Sequence, residues 1–558
     1  ITYKITDWMN VAGRIRVDNT NSLYTEKLYA TSNPTLLENS KKGKYTETRG
    51  EERQTYGDVM LNLSKTFKEK FSLDAHIGAS IKDNRFDELS VYGPIAGAPN
   101  IFNVVNLDKS QKKTPKTGWH EQTQSFFYSL ELGWKSQLFV TTTGRNDWAS
   151  QLANSPQKSF FYPSVGVSWL PSSTFNFPEK FNYLKIRASW ASVANPFPRE
   201  LTIATHPYDD TISGWDDKSN YPIGQLYPER TKTWELGFDA RFLHGFTLSA
   251  SWYRADTYNQ TFNPNLSASS GYSDIYIQTG HVRNTGVEAS LGYDHQWKNW
   301  NWNSQFTFSW NKNKIIELCK EWYNPITEET ISMNRLQISK LGRAKFILKE
   351  GGSMGDLYST TDLRRDDKGN IEIDEGGNVV VEDNLPDMKL GSVFPDYNLA
   401  WRNSVSWKNL NLGFLVTARI GGIVNSLTQA NMDLFGVSEA TAAARDAGGA
   451  LVNGRSLVNP ETWYTAIASQ GGIPQYYTYS ATNVRLQELS LGYTIPRKWL
   501  HNICSITVSF VGRNLWMMYC KAPFDPEAVA STNNFYQGMD YFMMPSTRNL
   551  GFNINIKF

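Results

Sequence analysis

The chain has 558 residues and a formal net charge of +2, and 40% of its residues are hydrophobic, 20% charged and 14% aromatic. The near-neutral charge argues against a nucleic-acid partner, because nucleic-acid binding calls for clustered basic residues. No stretch approaches the run of about 18 apolar residues that a membrane-spanning helix needs. A membrane barrel is not excluded, since its strands hide their hydrophobicity in alternation.

Apolar and polar residues alternate at every second position in segments along the whole chain, which predicts strands. The pattern is cleanest in Phe71–Ile81, Thr231–Phe242 and Leu412–Ile420. About sixteen strands are predicted, and they begin near residues 1, 54, 71, 122, 137, 160, 182, 231, 245, 282, 302, 397, 411, 482, 505 and 548. The phase of the alternation slips near Gln487–Glu488, which predicts a bulge there.

Short connections alternate with long polar ones along the chain. The long connections cover roughly residues 19–52, 83–120, 194–229, 258–280, 313–396, 421–481 and 516–547. Outer-membrane barrels have short turns on the periplasmic side and long loops outside, whereas a soluble sandwich or propeller has no reason to keep this order. The predicted fold is therefore all-β, a transmembrane antiparallel β-barrel whose long loops are extracellular.

The polar face of the predicted strands is rich in charge. Its charged residues are Lys185, Arg187, Glu235, Asp239, Arg241, Glu288 and Asp294. Such a density of charge suits a wet lumen, or a lumen packed around a polar plug, and not a dry sandwich core.

The first and last residues of the sequence lead to two separate predictions. Ile1 opens inside a strand-like pattern with no initiator methionine or signal peptide, so we expect the C-terminal part of a longer protein. The last strand places Phe552, Ile554, Ile556 and Phe558 on one face. An alternating final strand that ends on Phe resembles the assembly signal of outer-membrane β-barrels.

Motifs spread over most of the chain resemble those of SusC/RagA-type TonB-dependent transporters of Bacteroidota outer membranes. They include Gly144-Arg-Asn-Asp-Trp148, Leu184-Lys-Ile-Arg-Ala-Ser-Trp190, Val282-Arg-Asn-Thr-Gly-Val-Glu288, Gly512-Arg-Asn-Leu515 and Asp525-Pro-Glu527. Each motif is weak alone, but their order and spacing make the resemblance specific.

The resemblance implies a barrel of about 22 strands with an N-terminal plug and a TonB-contacting segment. Some six strands, the plug and the TonB box would then lie outside this sequence. The implied partners are a SusD-like surface lipoprotein that acts as a lid, the TonB complex, the lipid bilayer and a cargo. A dimer of transporter–lid pairs is also implied, and no cofactor.

Several motifs invite a catalytic or metal-binding interpretation that their context does not support. Gly351-Gly-Ser-Met-Gly355 lacks the apolar strand and the helix that flank a nucleophile elbow. His120-Glu-Gln-Thr-Gln124 lacks the second histidine of a zinc protease. Asp366–Asn370 and Glu375–Asn378 do not fit a calcium loop and predict turns of a small meander. We expect no enzyme activity and no metal site.

Cargo-binding candidates are aromatic residues in the long connections, whose rings can stack on sugars or peptide side chains. They are Trp119, Trp215, Trp322, Tyr476, Tyr477, Tyr479, Trp516, Tyr536 and Tyr541. Each could instead belong to a membrane girdle or a loop core. Arg145 and Asp147 are predicted near the outer mouth of the lumen, in contact with the plug, bracing a loop or touching ligand.

The function predicted from these features is import of oligomeric nutrients, most of all oligosaccharides. The alternatives are import of peptides in the manner of RagA, a passive sixteen-strand porin, and a soluble glycan-binding or hydrolytic protein. Among the three cysteines, a Cys319–Cys520 disulfide is conceivable, but free thiols are expected.

Overall fold

The computed structural model describes residues 1–199, 201, 208–209, 214–215, 220–221, 226–262, 274–278, 280–324, 328–531 and 536–558. Its main feature is a 17-stranded sheet. The strands are β1 (Thr2–Thr6), β2 (Met9–Leu28), β3 (Lys44–Phe67), β4 (Phe71–Pro94), β5 (Lys116–Trp134), β6 (Leu138–Ala149), β7 (Phe160–Trp169), β8 (Phe181–Asn195), β9 (Glu229–Phe242), β10 (Phe246–Tyr258), β11 (His281–Trp297), β12 (Trp300–Glu317), β13 (Tyr397–Trp407), β14 (Leu410–Ile420), β15 (Asn483–Ile495), β16 (Ser505–Cys520) and β17 (Asn549–Lys557).

The strand count differs from the predicted sixteen because the first segment is split. The sequence predicted a single strand from residue 1, but a turn at residues 7–8 folds β1 back onto β2, where Thr2 pairs with Ala12. The predicted bulge is confirmed: Leu415 pairs with Glu488 and Val416 with Leu486, so Gln487 is left out of the ladder.

Strands β2 to β5 run much further than predicted. β2 and β3 stay paired as far as Leu28 and Lys44, and β4 continues to Pro94 opposite Lys44. The predicted connections 19–52 and 83–120 are therefore too long, and the residues between strands are 29–43 and 95–115. The prediction ended each strand where its apolar alternation ended, but polar cross-strand pairs such as Thr48 Oγ1–Ser90 Oγ, at 2.8 Å, continue the ladder.

Short and long connections alternate along the sheet, as the sequence predicted. The short turns are residues 7–8, 68–70, 135–137, 243–245, 298–299 and 408–409, with somewhat longer ones at 170–180 and 496–504. Lys135 and Ser136 both have positive φ, as do Leu243 and His244. Two consecutive positive φ values are the geometry of the tight hairpin turns that match strand twist.

The contacts divide the chain into two compact units. Unit 1 comprises residues 1–167, 189–232 and 265–278, and unit 2 comprises residues 168–188, 233–264 and 279–558. In unit 1, the connections after β6 and β8 meet in an apolar cluster that includes Leu152, Phe160 and Leu226.

In unit 2, the long connections fold into small sheets and helices, and one further short helix lies in the 170–180 turn. The helices are α1 (Pro171–Thr174), α2 (Leu427–Leu434), α3 (Glu439–Asp446), α4 (Pro460–Ala468) and α5 (Pro474–Tyr477). Ser426, Ser438 and Asn459 accept backbone hydrogen bonds as N-caps of α2, α3 and α4. Among the described residues, no helix has the length and apolar character to cross a membrane.

The largest of these small sheets has four strands, Arg335–Leu341, Ala344–Lys349, Asp356–Ser359 and Met388–Ser392. Other short strands are Tyr208–Asp209, Gly214–Trp215, Asn220–Tyr221, Thr261–Phe262, Asp274–Ile275, Ile277–Gln278, Cys319–Asn324, Glu329–Met333, Asp362–Leu363, Val381–Glu382, Ile423–Ser426, Ala450–Val452, Ser456–Val458, Thr478–Ser480 and Met539–Asp540. The two Asp-rich motifs form turns here, since Asp366 accepts from Asn370 N and Asp374 from Asn378 N, both at 2.8 Å.

One face of the large sheet is apolar and exposed. Leu412, Leu491, Phe510 and Phe552 lie directly opposite one another on β14 to β17, and all four side chains are exposed. A continuous row of exposed apolar side chains is typical of a surface that faces lipid. The polar residues between them lie on the opposite face.

Candidate functional site

A polar row crosses five neighbouring strands of unit 1. Arg14, Asp58, Ser80, Ser125 and Asp147 lie in register on β2 to β6. The Arg14 Nε donates to both Asp58 carboxylate oxygens at 3.1 Å. All members of the row except Arg14 are buried, so each charge or hydroxyl needs a partner on this face.

At the β6 end of this row, Asp147 forms an ion pair with Arg145 of the same strand. The Arg145 Nε donates to Asp147 Oδ1 at 2.7 Å, and its Nη2 donates to Ser125 at 2.7 Å. Tyr162, on β7, donates its hydroxyl to the other Asp147 oxygen. Both oxygens of Asp147 are thus used within the protein, which favours the bracing role over ligand contact.

The predicted lumen charges of unit 2 are brought together on its polar face. Arg187 donates to Asp239 at 2.8 Å and lies 3.6 Å from Glu235. Asp239 also accepts from Ser249 at 2.7 Å, and Lys185 contributes to its electrostatic surroundings. The Arg241 guanidinium lies 5.1 Å from the Tyr183 ring centroid, a cation–π distance.

A cavity of about 680 Å³ opens on this polar face. Arg187 and Glu288 line it, together with small hydroxyl side chains from β10 to β14. Its size lies within the range of small-molecule sites. The sequence predicted the two charged residues but not the cavity, because a cavity depends on the register of five strands at once.

A buried ion cluster ties the connection 521–548 to the sheet. Arg485 forms a bidentate pair with Asp525, with distances of 2.9 and 3.2 Å, and its Nη2 lies 3.3 Å from Glu527. Asn483 accepts from the Arg485 Nε at 3.2 Å and donates to Glu527 at 3.3 Å. Asp525-Pro-Glu527 is one of the motifs that carry the family resemblance, but the sequence did not identify Arg485 as its partner.

Three of the predicted ligand-binding tyrosines are loop-core residues. Tyr477 is 2% exposed and donates its hydroxyl to Asp433 at 3.0 Å. Burial, together with the Asp433 charge, raises the pKa of Tyr477, and burial raises the pKa of Tyr479 to about 12. Tyr476 packs edge-on against Trp463, and Tyr479 against Phe524. The geometry therefore favours the loop-core alternative for all three.

Trp516 lies on the apolar face. It pairs with Leu486, which pairs with Val416 and then Trp401, and it is 58% exposed. An exposed tryptophan in an apolar row is typical of a membrane-interface girdle. The sequence placed Trp516 at the start of a long connection, but β16 continues to Cys520, so Trp516 lies within the strand and its position favours the girdle alternative over ligand contact.

The remaining predicted cargo-binding aromatic residues are at least partly accessible, except one whose side chain lies outside the described residues. Trp119 stacks on Phe86, and the Arg199 guanidinium lies 3.8 Å above its ring. Tyr536 and Tyr541 are exposed, and Trp322 is half-buried. Trp215 belongs to a short strand paired with Tyr208–Asp209, but its side chain lies outside the described residues.

In the part of the chain that the structure describes, Cys319 and Cys520 are not joined in a disulfide. Burial raises the pKa of the Cys319 thiol, which makes it a poor nucleophile. Within the described ranges, no group of three or more His, Cys, Asp and Glu side chains is arranged to hold a metal ion.

The comparisons with known proteins agree with this architecture. A family model described as TonB dependent receptor-like, beta-barrel, matches residues 3–515. The chain therefore belongs to the TonB-dependent receptor-like β-barrel family, a family of outer-membrane proteins. This membership confirms the predicted fold class and the family resemblance.

Among relatives, the chain is similar to TonB-dependent receptor P3 of Formosa agariphila, with 26% identity over 93% of this chain and 55% of the relative. It is also similar to TonB-dependent receptor SusC of Bacteroides thetaiotaomicron, with 21% identity over 67% of this chain and 38% of the relative. The chain thus spans about half the length, or less, of these curated relatives.

Among solved structures, the chain is similar to the RagAB peptide transporter, with a TM-score of 0.76 at 18% identity, over 100% of this chain and 61% of that one. The same transporter in its open-open state gives a TM-score of 0.78 at 17% identity. Similarity to solved structures at this level of sequence identity shows a shared fold. It does not identify the cargo.

Proposed function

We propose that the chain is the barrel portion of a TonB-dependent importer of oligomeric nutrients. The proposal depends on the difference between the two faces of the sheet. One face has an exposed apolar row on β14 to β17, and the opposite face is charged, rich in hydroxyl groups and contains a cavity. A lipid-facing exterior and a wet interior are what passage of a polar cargo requires. The long connections would lie on the outer side, beneath a SusD-like lipoprotein lid.

We further propose that the cargo is an oligosaccharide. Small hydroxyls, amides and paired charges line the polar face, and they can donate to and accept from the many hydroxyls of a sugar. Tyr477 is buried, and the half-buried Tyr476 and Tyr479 pack edge-on against other rings, which shifts the expected recognition from ring stacking toward hydrogen bonding. The name of the RagAB peptide transporter makes peptides the alternative outcome.

Mass spectrometry of material that co-purifies with the full-length transporter and its lid tests the cargo class. We expect ions spaced by the masses of hexose, pentose or hexuronate residues. Ions that resolve into peptides of similar length, with no sugar series, would overturn the oligosaccharide assignment. The importer proposal itself would stand in that case.

A further inference from the structure

The cavity in unit 2 is built mainly from small neutral groups. Its hydroxyl side chains come from β10, β11, β12 and β14 and are Ser249, Ser251, Ser290, Thr307, Ser309 and Thr417. Hydroxyls both donate and accept hydrogen bonds. A lining of this kind suits a ligand with many hydroxyls of its own, and the charged residues then decide which ligand is preferred.

Two residues of opposite charge mark the ends of a row through this cavity. Glu288, Ser309, Asn398 and Arg419 lie directly opposite one another on β11, β12, β13 and β14, and all four line the cavity. Neighbouring strands lie about 4.8 Å apart, so Glu288 and Arg419 are separated by about 14 Å. The row is long enough for more than one sugar ring.

Most other charges on the cavity wall already have a partner. Arg187 is paired with Asp239 at 2.8 Å. Glu527 lies 3.3 Å from Arg485 and accepts from Asn483 at 3.3 Å. The charge of Glu527 also acts on Arg419, so what distinguishes Arg419 on this wall is its hydrogen bonding and not an isolated charge.

Arg419 has unused hydrogen-bonding capacity. Its Nη2 donates to the Val393 carbonyl at 2.8 Å, whereas its buried Nε has no hydrogen-bond partner within the described part of the chain. A buried donor without a partner is costly, and the cost is recovered when a ligand supplies the acceptor. A carboxylate is the strongest acceptor for a guanidinium, since it can accept two parallel hydrogen bonds.

We propose that Arg419 anchors a carboxylate of the cargo, and that the cargo is therefore an acidic oligosaccharide containing uronate residues. Asn398 and Ser309 would bind hydroxyls of the adjoining sugar, and Glu288 would accept from hydroxyls at the far end of the row. This inference rests on the proposed function, because it names the substrate class of the same polar face.

The test compares two variants with the same loss of charge on the same face. Arg419→Gln removes the anchor, and Arg402→Gln removes an exposed arginine of β13 that does not line the cavity. The ligands are trisaccharides of galacturonate, mannuronate and guluronate, and the same trisaccharides after reduction of their carboxyl groups to alcohols. Binding to the full-length transporter is measured by isothermal titration calorimetry.

We expect the wild type and Arg402→Gln to bind at least one uronate trisaccharide about ten- to a hundredfold more tightly than its reduced form. Arg419→Gln should lose this preference, and Arg419→Lys, which keeps the charge, should keep part of it. Retention of the heat-modifiable band on gels shows that each variant is folded.

Three results would overturn the inference: equal binding of acidic and reduced sugars by the wild type, an unchanged preference in Arg419→Gln, or an equal loss in Arg402→Gln. Tight binding of a free tetrapeptide that depends on Arg419, without uronate binding, would also overturn it. In each case, TonB-dependent uptake of a neutral oligosaccharide would leave the proposed function intact, so the two failures are distinguishable.

Discussion

Replacing Asp525 with alanine is expected to destabilise the attachment of the connection 521–548 by about 3–5 kcal/mol. The reason is that Arg485 is only 4% exposed and would lose both hydrogen bonds of its bidentate pair. Removing one partner of a buried ion pair leaves an uncompensated charge, which costs more than the pair itself contributed. Glu527, at 3.3 Å from Arg485, would compensate in part.

Hydrogen–deuterium exchange of the full-length protein measures this effect. Peptides from 521–531 and 536–548 should lose protection in Asp525→Ala and keep it in Arg513→Ala. Arg513 forms a more exposed pair with Glu488 at 3.2 Å, and such pairs contribute about 1 kcal/mol or less. Unchanged protection in Asp525→Ala would show that the cluster does not hold this connection.

The same ion cluster makes the stability of the connection 521–548 depend on pH. Burial by itself would raise the pKa of Asp525, but the hydrogen bonds and charge of Arg485 lower the pKa overall. A carboxyl whose folded-state pKa is lowered adds stability above its unfolded value of about 3.9, and this stability is lost as the pH falls through the folded value. Protection of 521–548 should therefore be constant near neutral pH and decline only below about pH 4.

Deleting Phe558 is expected to reduce the folded protein in the outer membrane to a minor fraction of the wild-type amount. We propose that β17 serves in assembly, because Phe552, Ile554 and Ile556 are exposed in one alternating row and Phe558 is 90% exposed beyond the last paired residue. Phe558 has little packing against the described residues, so its removal should cost the sheet little stability.

Outer-membrane fractions of cells that carry the deletion, analysed for the heat-modifiable band, give the measurement. Lys557→Gln, which keeps the aromatic end, is the matched control and should assemble normally. Uptake per folded molecule should not change in either variant. Normal amounts of folded protein combined with lost uptake would assign Phe558 to transport instead.

Local patterns were sufficient to predict most of the sheet. The alternation in Phe71–Ile81 and Thr231–Phe242 marked strands that the structure contains, and the phase slip at Gln487 marked the bulge. The extent of β2 to β5 could not be predicted in this way, because their outer parts are held by polar cross-strand pairs that carry no apolar period.

The candidate site was harder to predict because its chemistry depends on contacts distant in sequence. Asp525 is 40 residues from Arg485, and nothing in the local pattern links them. Tyr477 and Trp516 looked alike as aromatic residues of long connections. One packs against Asp433 in a loop core and the other faces outward on the apolar row, a difference that depends on helix packing and strand register.

Uptake of the cargo oligosaccharide by cells that express the full-length protein, with and without a functional TonB complex, tests the central claim most directly. We predict that uptake is concentrative, requires the TonB complex, and falls to background when that complex is inactive. Uptake that continues unchanged without TonB, and stops when concentrations are equal on both sides, would identify a passive pore and contradict the importer proposal.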